Sequence, residues 1–191
     1  MNTPASLLLV DDEPNILRAI ERQLRGITRG SGAAYRVESF TRPAEALARG
    51  AEAAFDLVIS DFRMPEMDGV TFLRAFRVRQ PDAARLILSG QTDFAGLVAA
   101  INEAGIRRFL AKPWEEAELI FAVEQALRER TLLLENRRLA DELRASLSVV
   151  ARQEAELMRL ERESPGITRV RRDAHGAVLI DAGAASNAGT P

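Results

Sequence analysis

Five short apolar runs organise the first two thirds of the chain, and stretches with helical periodicity separate them. The runs occupy residues 6–10, 35–40, 56–61, 85–90 and 107–113. Most are nearly continuous in apolar residues, which is typical of strands that are buried on both faces of a parallel sheet. Strand and helix alternate five times at short spacing. This pattern predicts an α/β fold with a doubly wound, five-stranded parallel sheet and helices on both faces.

Proline and glycine mark the ends of the predicted helices. The first helix follows Asp12, has Pro14 in its first turn and ends near Gly26. The second begins at Pro43, the third ends before Pro81, the fourth runs from Asp93 to Ala104, and the fifth begins at Glu115. Gly105 is predicted to be the C-cap of the fourth helix. Residues 27–34, which contain two glycines, are predicted to form a loop.

Polar side chains follow the predicted strands at the points where the strands end. Asp11 and Asp12 follow the first strand, Asp61 ends the third, Ser89 ends the fourth and Lys112 ends the fifth. Parallel strands share a direction, so these side chains should meet at one edge of the sheet, where ligands bind in open α/β folds. The sequence therefore predicts a pocket with three carboxylates, one hydroxyl and one ammonium group.

Such a pocket suits phosphoryl chemistry. Clustered carboxylates repel one another unless a cation joins them, and Mg²⁺ held by one or two carboxylates is a common solution. With a cation and Lys112 present, Asp61 could act as the nucleophile and become an aspartyl phosphate, while Ser89 donates to a phosphoryl oxygen. Taken alone, Asp12 would be interpreted as a helix N-cap and Asp68 as a turn residue.

Four sequence blocks resemble the signature of the receiver domain of two-component response regulators, which has a flavodoxin-like fold. The blocks are residues 10–14, 56–69, 88–90 and 112–113, and the resemblance extends from about Leu7 to Leu127. It implies that Asp61 is the phosphoacceptor. It also implies that Asp11, Asp12, Asp61 and the main chain of Arg63 bind Mg²⁺.

The same resemblance implies roles for residues around the phosphoacceptor. Ser89 and Phe109 would form the switch, Lys112 would pair with the phosphoryl group, and the peptide bond between Lys112 and Pro113 would be cis. Phe109 lacks the hydroxyl of the tyrosine found in many members. Arg63 and Gln91 would flank the phosphoryl group and tune its lifetime. Neither is an obvious base for water, so we hypothesise slow autodephosphorylation.

A phosphohydrolase that works through an aspartyl phosphate is the alternative enzymatic interpretation. Such enzymes usually carry a second aspartate, two residues after the nucleophile, as general acid. Arg63 occupies that position here and cannot serve as the acid. The sequence therefore predicts no enzymatic activity beyond phosphotransfer to Asp61 and its reversal by hydrolysis.

The final third begins with a helix that continues past the usual end of a receiver. Leu119, Val123 and Ala126 should face the receiver core. Beyond them, residues follow alternating steps of four and three, which is the spacing of a heptad seam. The seam consists of Leu132, Asn136, Leu139, Leu143, Ser146, Val150, Gln153, Leu157 and Leu160. We predict a parallel homodimeric coiled coil; the alternative is a helix that folds back onto its own receiver.

These boundaries divide the chain into four predicted segments. They are a receiver domain (1–127), a coiled-coil helix continuous with it (128–163), a β-hairpin tail (164–181) and a disordered end (182–191). Arg169, Arg171 and Arg172 make only a small basic patch, and His175 is predicted to be a turn residue.

Composition narrows the function classes further. The chain has 191 residues, a formal net charge of −2, no cysteine and one histidine. A disulfide framework, a thiolate metal site and nucleic acid as a partner are therefore not expected. No apolar stretch is long enough for a signal peptide or a membrane span, so we expect a cytoplasmic protein without membrane contact. Lys112 is the sole lysine in a chain rich in arginine.

Together these features predict a response regulator of a two-component phosphorelay. A sensor histidine kinase or a phosphotransfer protein would phosphorylate Asp61, and the dimeric coiled coil would pass the signal to an unidentified downstream protein. The alternative from a different class is a phosphorylation-independent adaptor, in which the receiver fold serves only as a dimeric scaffold.

Overall fold

The computed structural model describes residues 4–25, 35–90 and 105–165. Several predictions fall outside the described residues. They concern the loop at 27–34, Gln91, the helix at 93–104, nearly all of the hairpin tail and the end of the chain.

The described residues form a five-stranded parallel sheet with helices on both faces. The strands are Ser6–Val10 (β1), Arg36–Phe40 (β2), Leu57–Asp61 (β3), Ala84–Gly90 (β4) and Arg108–Lys112 (β5), and the helices are Pro14–Arg25 (α1), Pro43–Glu52 (α2), Gly69–Arg79 (α3) and Glu116–Glu163 (α4). The strand order is β2-β1-β3-β4-β5. The predicted fold class is confirmed, and the predicted bounds of the strands are correct to within about two residues.

Alternate residues of the central strands supply two separate hydrophobic cores. Leu7 and Leu9 of β1 face the core that α1 and α4 cover. Leu8 and Val10 face the opposite core, which α2 and α3 cover. All five residues of β1 are buried, as are all five of β3. This two-sided burial explains why these strands are apolar without the alternation of a half-exposed strand.

The start of α3 is fixed next to the end of β3. Asp68 caps the helix, because its carboxylate accepts from the main-chain nitrogen of Thr71 at 2.8 Å and from the Thr71 hydroxyl at 2.8 Å. At Gly69, a Cβ atom would lie 1.9 Å from the main-chain oxygen of Asp61. A side chain at this position would therefore displace the backbone of Asp61.

The helix α4 continues over 48 residues. Its first turns complete the core beside α1, where Leu119, Val123 and Ala126 are fully buried. This confirms the predicted contact. The chain divides into two compact units, Met1–Asn136 and Arg137–Pro191.

In the second unit, the described residues belong mainly to α4, and its large apolar side chains are exposed. At the predicted seam positions they are Leu139, Leu143, Val150 and Leu157. Apolar side chains exposed at heptad spacing are what a coiled-coil strand shows without its partner. The coiled coil itself, and the segment boundary at residue 127, remain predictions.

Candidate functional site

Four of the predicted site residues lie at the carboxyl ends of adjacent strands. Asp11 follows β1, and Asp61 ends β3, which is the neighbour of β1 in the sheet. In the pairing of β3 with β4, Asp61 lies opposite Leu88, the residue before Ser89. In the pairing of β4 with β5, Lys112 lies opposite Gly90, the residue after Ser89. The order of the strands reverses between β1 and β3, so the site occupies the topological switch point.

Lys112 joins the two buried carboxylates. Its Nζ atom lies 2.8 Å from Oδ2 of Asp11 and 2.5 Å from Oδ1 of Asp61. Only 1% of the Asp11 side chain and 9% of the Asp61 side chain are exposed, against 21% of Lys112. One ammonium group, at the end of β5, thus balances two carboxylates that come from the ends of β1 and β3.

The second oxygen of each carboxylate is held by the main chain. Oδ1 of Asp11 accepts from the main-chain nitrogen of Glu13 at 2.9 Å. Oδ2 of Asp61 accepts from the main-chain nitrogen of Arg63, also at 2.9 Å. Each carboxylate is therefore fixed by Lys112 on one side and by the amide two residues further along the chain on the other.

Burial and ion pairing act in opposite directions on these groups. Burial raises the pKa of Asp11, although the hydrogen bonds from Lys112 and from the Glu13 amide favour its charged form. Burial alone would lower the pKa of Lys112. The hydrogen bonds and charges of Asp11 and Asp61 together outweigh it, so the pKa of Lys112 lies above its ordinary value. The lysine is therefore charged at neutral pH, while Asp11 carries a desolvation cost that a further cation would reduce.

Ser89 contributes a buried hydroxyl without a partner. The residue is 1% exposed, and its Oγ atom has no hydrogen-bond partner among the described residues. A buried hydroxyl that is left unsatisfied costs free energy, and such groups are often explained by a bound ligand or ion. Among the described residues, none competes for this hydroxyl with a group that enters the site.

The oxygen donors fit Mg²⁺, which usually takes one or two carboxylates and keeps several waters. Asp11 and Asp61 supply two carboxylates beside each other, and a bound cation would offset the burial that raises the pKa of Asp11. Asp12 is exposed. Within the described ranges, no three acidic, histidine or cysteine side chains form a group that could hold a metal ion. The predicted set of Asp11, Asp12, Asp61 and the Arg63 main chain remains a prediction.

The other predicted residues lie around this centre. The peptide bond between Lys112 and Pro113 is cis, as predicted. Phe109 lies on β5 with 40% of its surface exposed, and the side chain of Arg63 is exposed as well. Trp114 packs against the core beside α1, and its Nε1 atom donates to Oε1 of Gln23 at 3.1 Å.

Sequence reasoning missed an ion pair, between Asp56 and Arg130, at the opposite edge of the sheet. Asp56 immediately precedes β3, and its Oδ2 atom accepts from the main-chain nitrogen of Ser6 at 2.8 Å. Its Oδ1 atom lies 2.9 Å from Nη1 of Arg130. Arg130 also donates from Nε to the main-chain oxygen of Asp82 at 2.9 Å. The available signal was an aspartate at the entrance to an apolar strand, but the sequence does not show its distant partner.

A second missed residue is Arg85, which lies in an apolar run and is buried. Its guanidinium group donates to the main-chain oxygens of Ala83 at 2.7 Å and Gly105 at 3.1 Å. Burial, together with the charges of Arg77 and Arg107, lowers the pKa of Arg85 to about 10. Arg85 therefore ties the entrance of β4 to the segment that leads into β5.

The fold and the site define a doubly wound α/β domain with a carboxylate–lysine centre at its switch point. Residues 7–124 match the family described as the response regulator receiver domain. The chain belongs to the response regulator receiver family. It is a receiver-domain response regulator of two-component signalling, and receiver-domain proteins are not classical enzymes. Receiver domains typically bind Mg²⁺.

Curated relatives match the chain over part of their own length. The hydrogenase transcriptional regulatory protein HoxA of Cupriavidus necator is 34% identical over 152 residues, which are 80% of this chain and 30% of HoxA. The transcriptional regulatory protein PrrA of Mycobacterium tuberculosis is 35% identical over 128 residues, which are 67% of this chain and 52% of PrrA. The matched region therefore spans between about a third and a half of these relatives.

Solved receiver domains have the same fold. The signal receiver domain of an HD domain-containing protein from Pseudomonas fluorescens is 32% identical, with a TM-score of 0.64 over 71% of this chain and 95% of that one. A response regulator receiver domain protein from Clostridium thermocellum is 30% identical, with a TM-score of 0.60 over 68% of this chain and 98% of that one.

Hydropathy along the helices adds one negative finding. Within the three described ranges, no helix is both long enough and apolar enough to cross a bilayer.

Proposed function

We propose that this response regulator accepts a phosphoryl group on Asp61 from the phosphohistidine of a sensor histidine kinase or a phosphotransfer protein. The observation that carries the proposal is the position of Lys112, whose Nζ atom contacts both Asp61 and Asp11. A lone lysine between two buried carboxylates supplies a compact positive charge where a phosphoryl group would add negative charge.

Each side chain of the site has a part in the proposed transfer. A carboxylate oxygen of Asp61 forms a bond to phosphorus while the bond between phosphorus and the imidazole nitrogen breaks, and that nitrogen keeps the electron pair. Lys112 then pairs with a phosphoryl oxygen, and the hydroxyl of Ser89 donates to another. When bound by Asp11, Asp12, Asp61 and the carbonyl of Arg63, Mg²⁺ supplies the remaining positive charge at the phosphoryl oxygens.

The lifetime and the readout of the phosphorylated state follow from neighbouring residues. Ser89 and Phe109 change arrangement together when the phosphoryl group is present. Arg63 and Gln91 flank the phosphoryl group, and since neither activates water, autodephosphorylation is slow. An acyl phosphate half-life of seconds in Mg²⁺ would contradict this.

The output of the proposed switch is a homodimer formed through residues 128–163, which presents a downstream protein with a signal-dependent surface. Leu139, Leu143 and Val150 support this proposal because they are exposed at successive seam positions. Asn136 would fix the register, as polar residues do at inward positions.

Intact mass spectrometry tests the phosphoacceptor. The wild-type protein should gain one phosphoryl group from a small acyl phosphate donor in Mg²⁺, and Asp61→Asn should gain none. Omitting Mg²⁺ should suppress the gain in the wild type. A wild type without an adduct would reject phosphotransfer and favour the phosphorylation-independent adaptor.

Disulfide cross-linking tests the dimer. Because the chain has no cysteine, an introduced cysteine is the only thiol that can form a disulfide. In a parallel coiled coil, Leu139→Cys places two thiols face to face across the seam, so oxidation should link two chains. Arg138→Cys, which points away from the seam, is the matched control. Equal cross-linking of the two variants, or none of either, would reject the parallel dimer.

A further inference from the structure

Ser60 is a polar residue inside a strand that is otherwise apolar up to its last residue. It lies on β3 directly before Asp61, and it is fully buried. Successive side chains of a strand point to opposite faces of the sheet, so the side chain of Ser60 points away from the face that carries the Asp61 carboxylate. Ser60 therefore cannot contact a group that binds to this carboxylate, and any effect on the site must pass through the main chain.

The hydroxyl of Ser60 binds the main chain of the proposed phosphoacceptor. Its Oγ atom donates to the main-chain oxygen of Asp61 at 2.9 Å. Gly69, the first residue of α3, packs directly on this hydrogen bond, since a Cβ atom there would lie 1.9 Å from the oxygen and 3.0 Å from Oγ of Ser60. A place without room for a methyl group has no room for a water molecule. Water therefore cannot take over as the donor to this buried oxygen.

The first peptide unit after Asp61 is held at both of its polar ends. Its oxygen accepts the hydrogen bond from Ser60. Its nitrogen, which belongs to Phe62, donates to the main-chain oxygen of Leu88 at 2.8 Å. Because a peptide unit is planar, two fixed ends determine its orientation.

The second peptide unit is held in the same way. The main-chain oxygen of Phe62 accepts from the main-chain nitrogen of Gly69 at 2.9 Å. The main-chain nitrogen of Arg63 donates to Oδ2 of Asp61, also at 2.9 Å. Of these four hydrogen bonds, only the one from Ser60 uses a side chain other than that of Asp61. It is therefore the one that a substitution can remove without altering the phosphoacceptor.

These two peptide units connect the reacting carboxylate to a predicted metal ligand. They lead from Asp61 to the main chain of Arg63, which belongs to the predicted Mg²⁺ set. A rotation of the first unit would move both the amide that holds Oδ2 of Asp61 and the carbonyl that follows it. Displacements of this kind are costly in a site that depends on position, and groups that orient metal ligands commonly matter about tenfold to a hundredfold.

We propose that Ser60 is a positioning residue for phosphotransfer. Its hydroxyl fixes the first peptide unit after Asp61 and, through it, the main chain of Arg63. This inference rests on the proposed function. Without the hydroxyl, the buried oxygen of Asp61 loses a donor, and the peptide unit turns away from its present orientation to find another. The affinity for Mg²⁺ and the rate of phosphoryl uptake then fall together.

Isothermal titration calorimetry with Mg²⁺ and the time course of phosphoryl uptake test Ser60→Ala in the full chain. The Kd for Mg²⁺ should rise and the uptake should slow, each by about tenfold or more. Ser60→Cys keeps the size of the side chain, but a thiol is a weak donor, so this variant should show the same losses. Because it leaves no cavity, it provides the measurement if Ser60→Ala does not fold.

Ser6 offers a matched control on β1. It is 5% exposed, and its hydroxyl accepts from Nη2 of Arg36 at 2.6 Å, at the opposite edge of the sheet. Ser6→Ala also removes a hydrogen bond from a buried serine, so it should lower the urea midpoint of unfolding. It should leave the Kd for Mg²⁺ and the uptake rate of the folded protein unchanged.

The outcomes separate a positioning role from a general loss of stability. A wild-type Kd and uptake rate in Ser60→Ala or Ser60→Cys, at any urea midpoint, would overturn the proposal, and so would equal losses in Ser6→Ala. A wild type that binds no Mg²⁺ would overturn it as well. A wild type that binds Mg²⁺ but gains no phosphoryl group would reject the proposed phosphotransfer, whereas the calorimetric comparison would still decide whether Ser60 positions the main chain at the metal site.

Discussion

The strand β3 has an aspartate–cation pair at each end, and the two pairs are built differently. At the carboxyl end, Asp61 shares Lys112 with Asp11, and the hydroxyl of Ser89 has no partner in the described part of the chain. At the amino end, Asp56 pairs with Arg130, and each oxygen of Asp56 has a partner.

We propose that the pair at the amino end of β3 is structural and that the centre at its carboxyl end is the reactive one. The charges of Asp56 and Arg130 neutralise each other, and Arg130 also donates a hydrogen bond to the main-chain oxygen of Asp82. At the other end, the carboxylates of Asp11 and Asp61 share Lys112 as their ion-pair partner. Burial raises the pKa of Asp11 despite this contact. Two buried carboxylates that share one lysine, beside a hydroxyl without a partner in the described ranges, would favour the binding of a cation and an anionic ligand.

The largest expected effect comes from neutralising one aspartate at each end of β3. Asp61→Asn should abolish phosphoryl uptake from an acyl phosphate donor, because the nucleophilic oxygen is lost. Asp56→Asn makes the same chemical change at the other end of the strand and should leave the uptake unchanged. Intact mass after a fixed incubation measures both. An adduct on Asp61→Asn would show that another residue is the acceptor.

The next prediction compares exchanges of the basic residue at each end of β3, Lys112 at the carboxyl end and Arg130 at the amino end. Lys112→Arg should slow phosphoryl uptake about a hundredfold or more, because a planar guanidinium cannot occupy the place of a compact ammonium between two carboxylates. Arg130→Lys, the reverse exchange at the other edge, should leave the rate unchanged. The time course of adduct formation provides the rates. Equal rates for wild type and Lys112→Arg would mean that any cation suffices.

Removing the hydroxyl of Ser89 should affect function and stability in opposite directions. Ser89→Ala should slow phosphoryl uptake about tenfold or more, because one donor to the phosphoryl group is missing. The free energy of unfolding should stay the same or rise by up to about 1 kcal/mol, because an unsatisfied buried hydroxyl is removed. Urea unfolding and the adduct time course test the two halves. A marked loss of stability would indicate a structural hydrogen bond for Ser89.

The smallest expected effect concerns the pair at the amino end. A double-mutant cycle with Asp56→Asn and Arg130→Gln should give a coupling energy of about 0.5–1 kcal/mol in urea unfolding, since both side chains are partly exposed. The exposed Arg128 provides a control, because Arg128→Gln should show no coupling to Asp56→Asn. Coupling of the same size for Arg128 would argue against a specific pair.

Local patterns in the sequence were sufficient to predict the strands and helices and the edge of the sheet at which the site lies. Buried strands are apolar, and chain direction alone brings Asp61, Ser89 and Lys112 to the same edge. The cis peptide bond came from the resemblance to a family. How Lys112 divides its contacts could not be predicted, because that depends on the register of β4 and β5 and on a partner, Asp11, that is 101 residues away.

Asp56 and Arg85 show a different limit. Asp56 contacts a main-chain nitrogen and an arginine 74 residues further along the chain, and Arg85 donates to main-chain oxygens. Main-chain groups have no sequence signature, because every residue carries them. Buried polar residues that they satisfy therefore cannot be recognised until the backbone path is known.

The single tryptophan of the chain gives the molecule a built-in optical reporter. Trp114 lies two residues after Lys112, and its indole nitrogen is hydrogen-bonded to Gln23 of α1. Its fluorescence therefore originates from one known place, close to the carboxyl end of β5. Titration with Mg²⁺, or with an inert phosphoryl mimic such as beryllofluoride, can be followed in the unlabelled protein by the emission of this one ring.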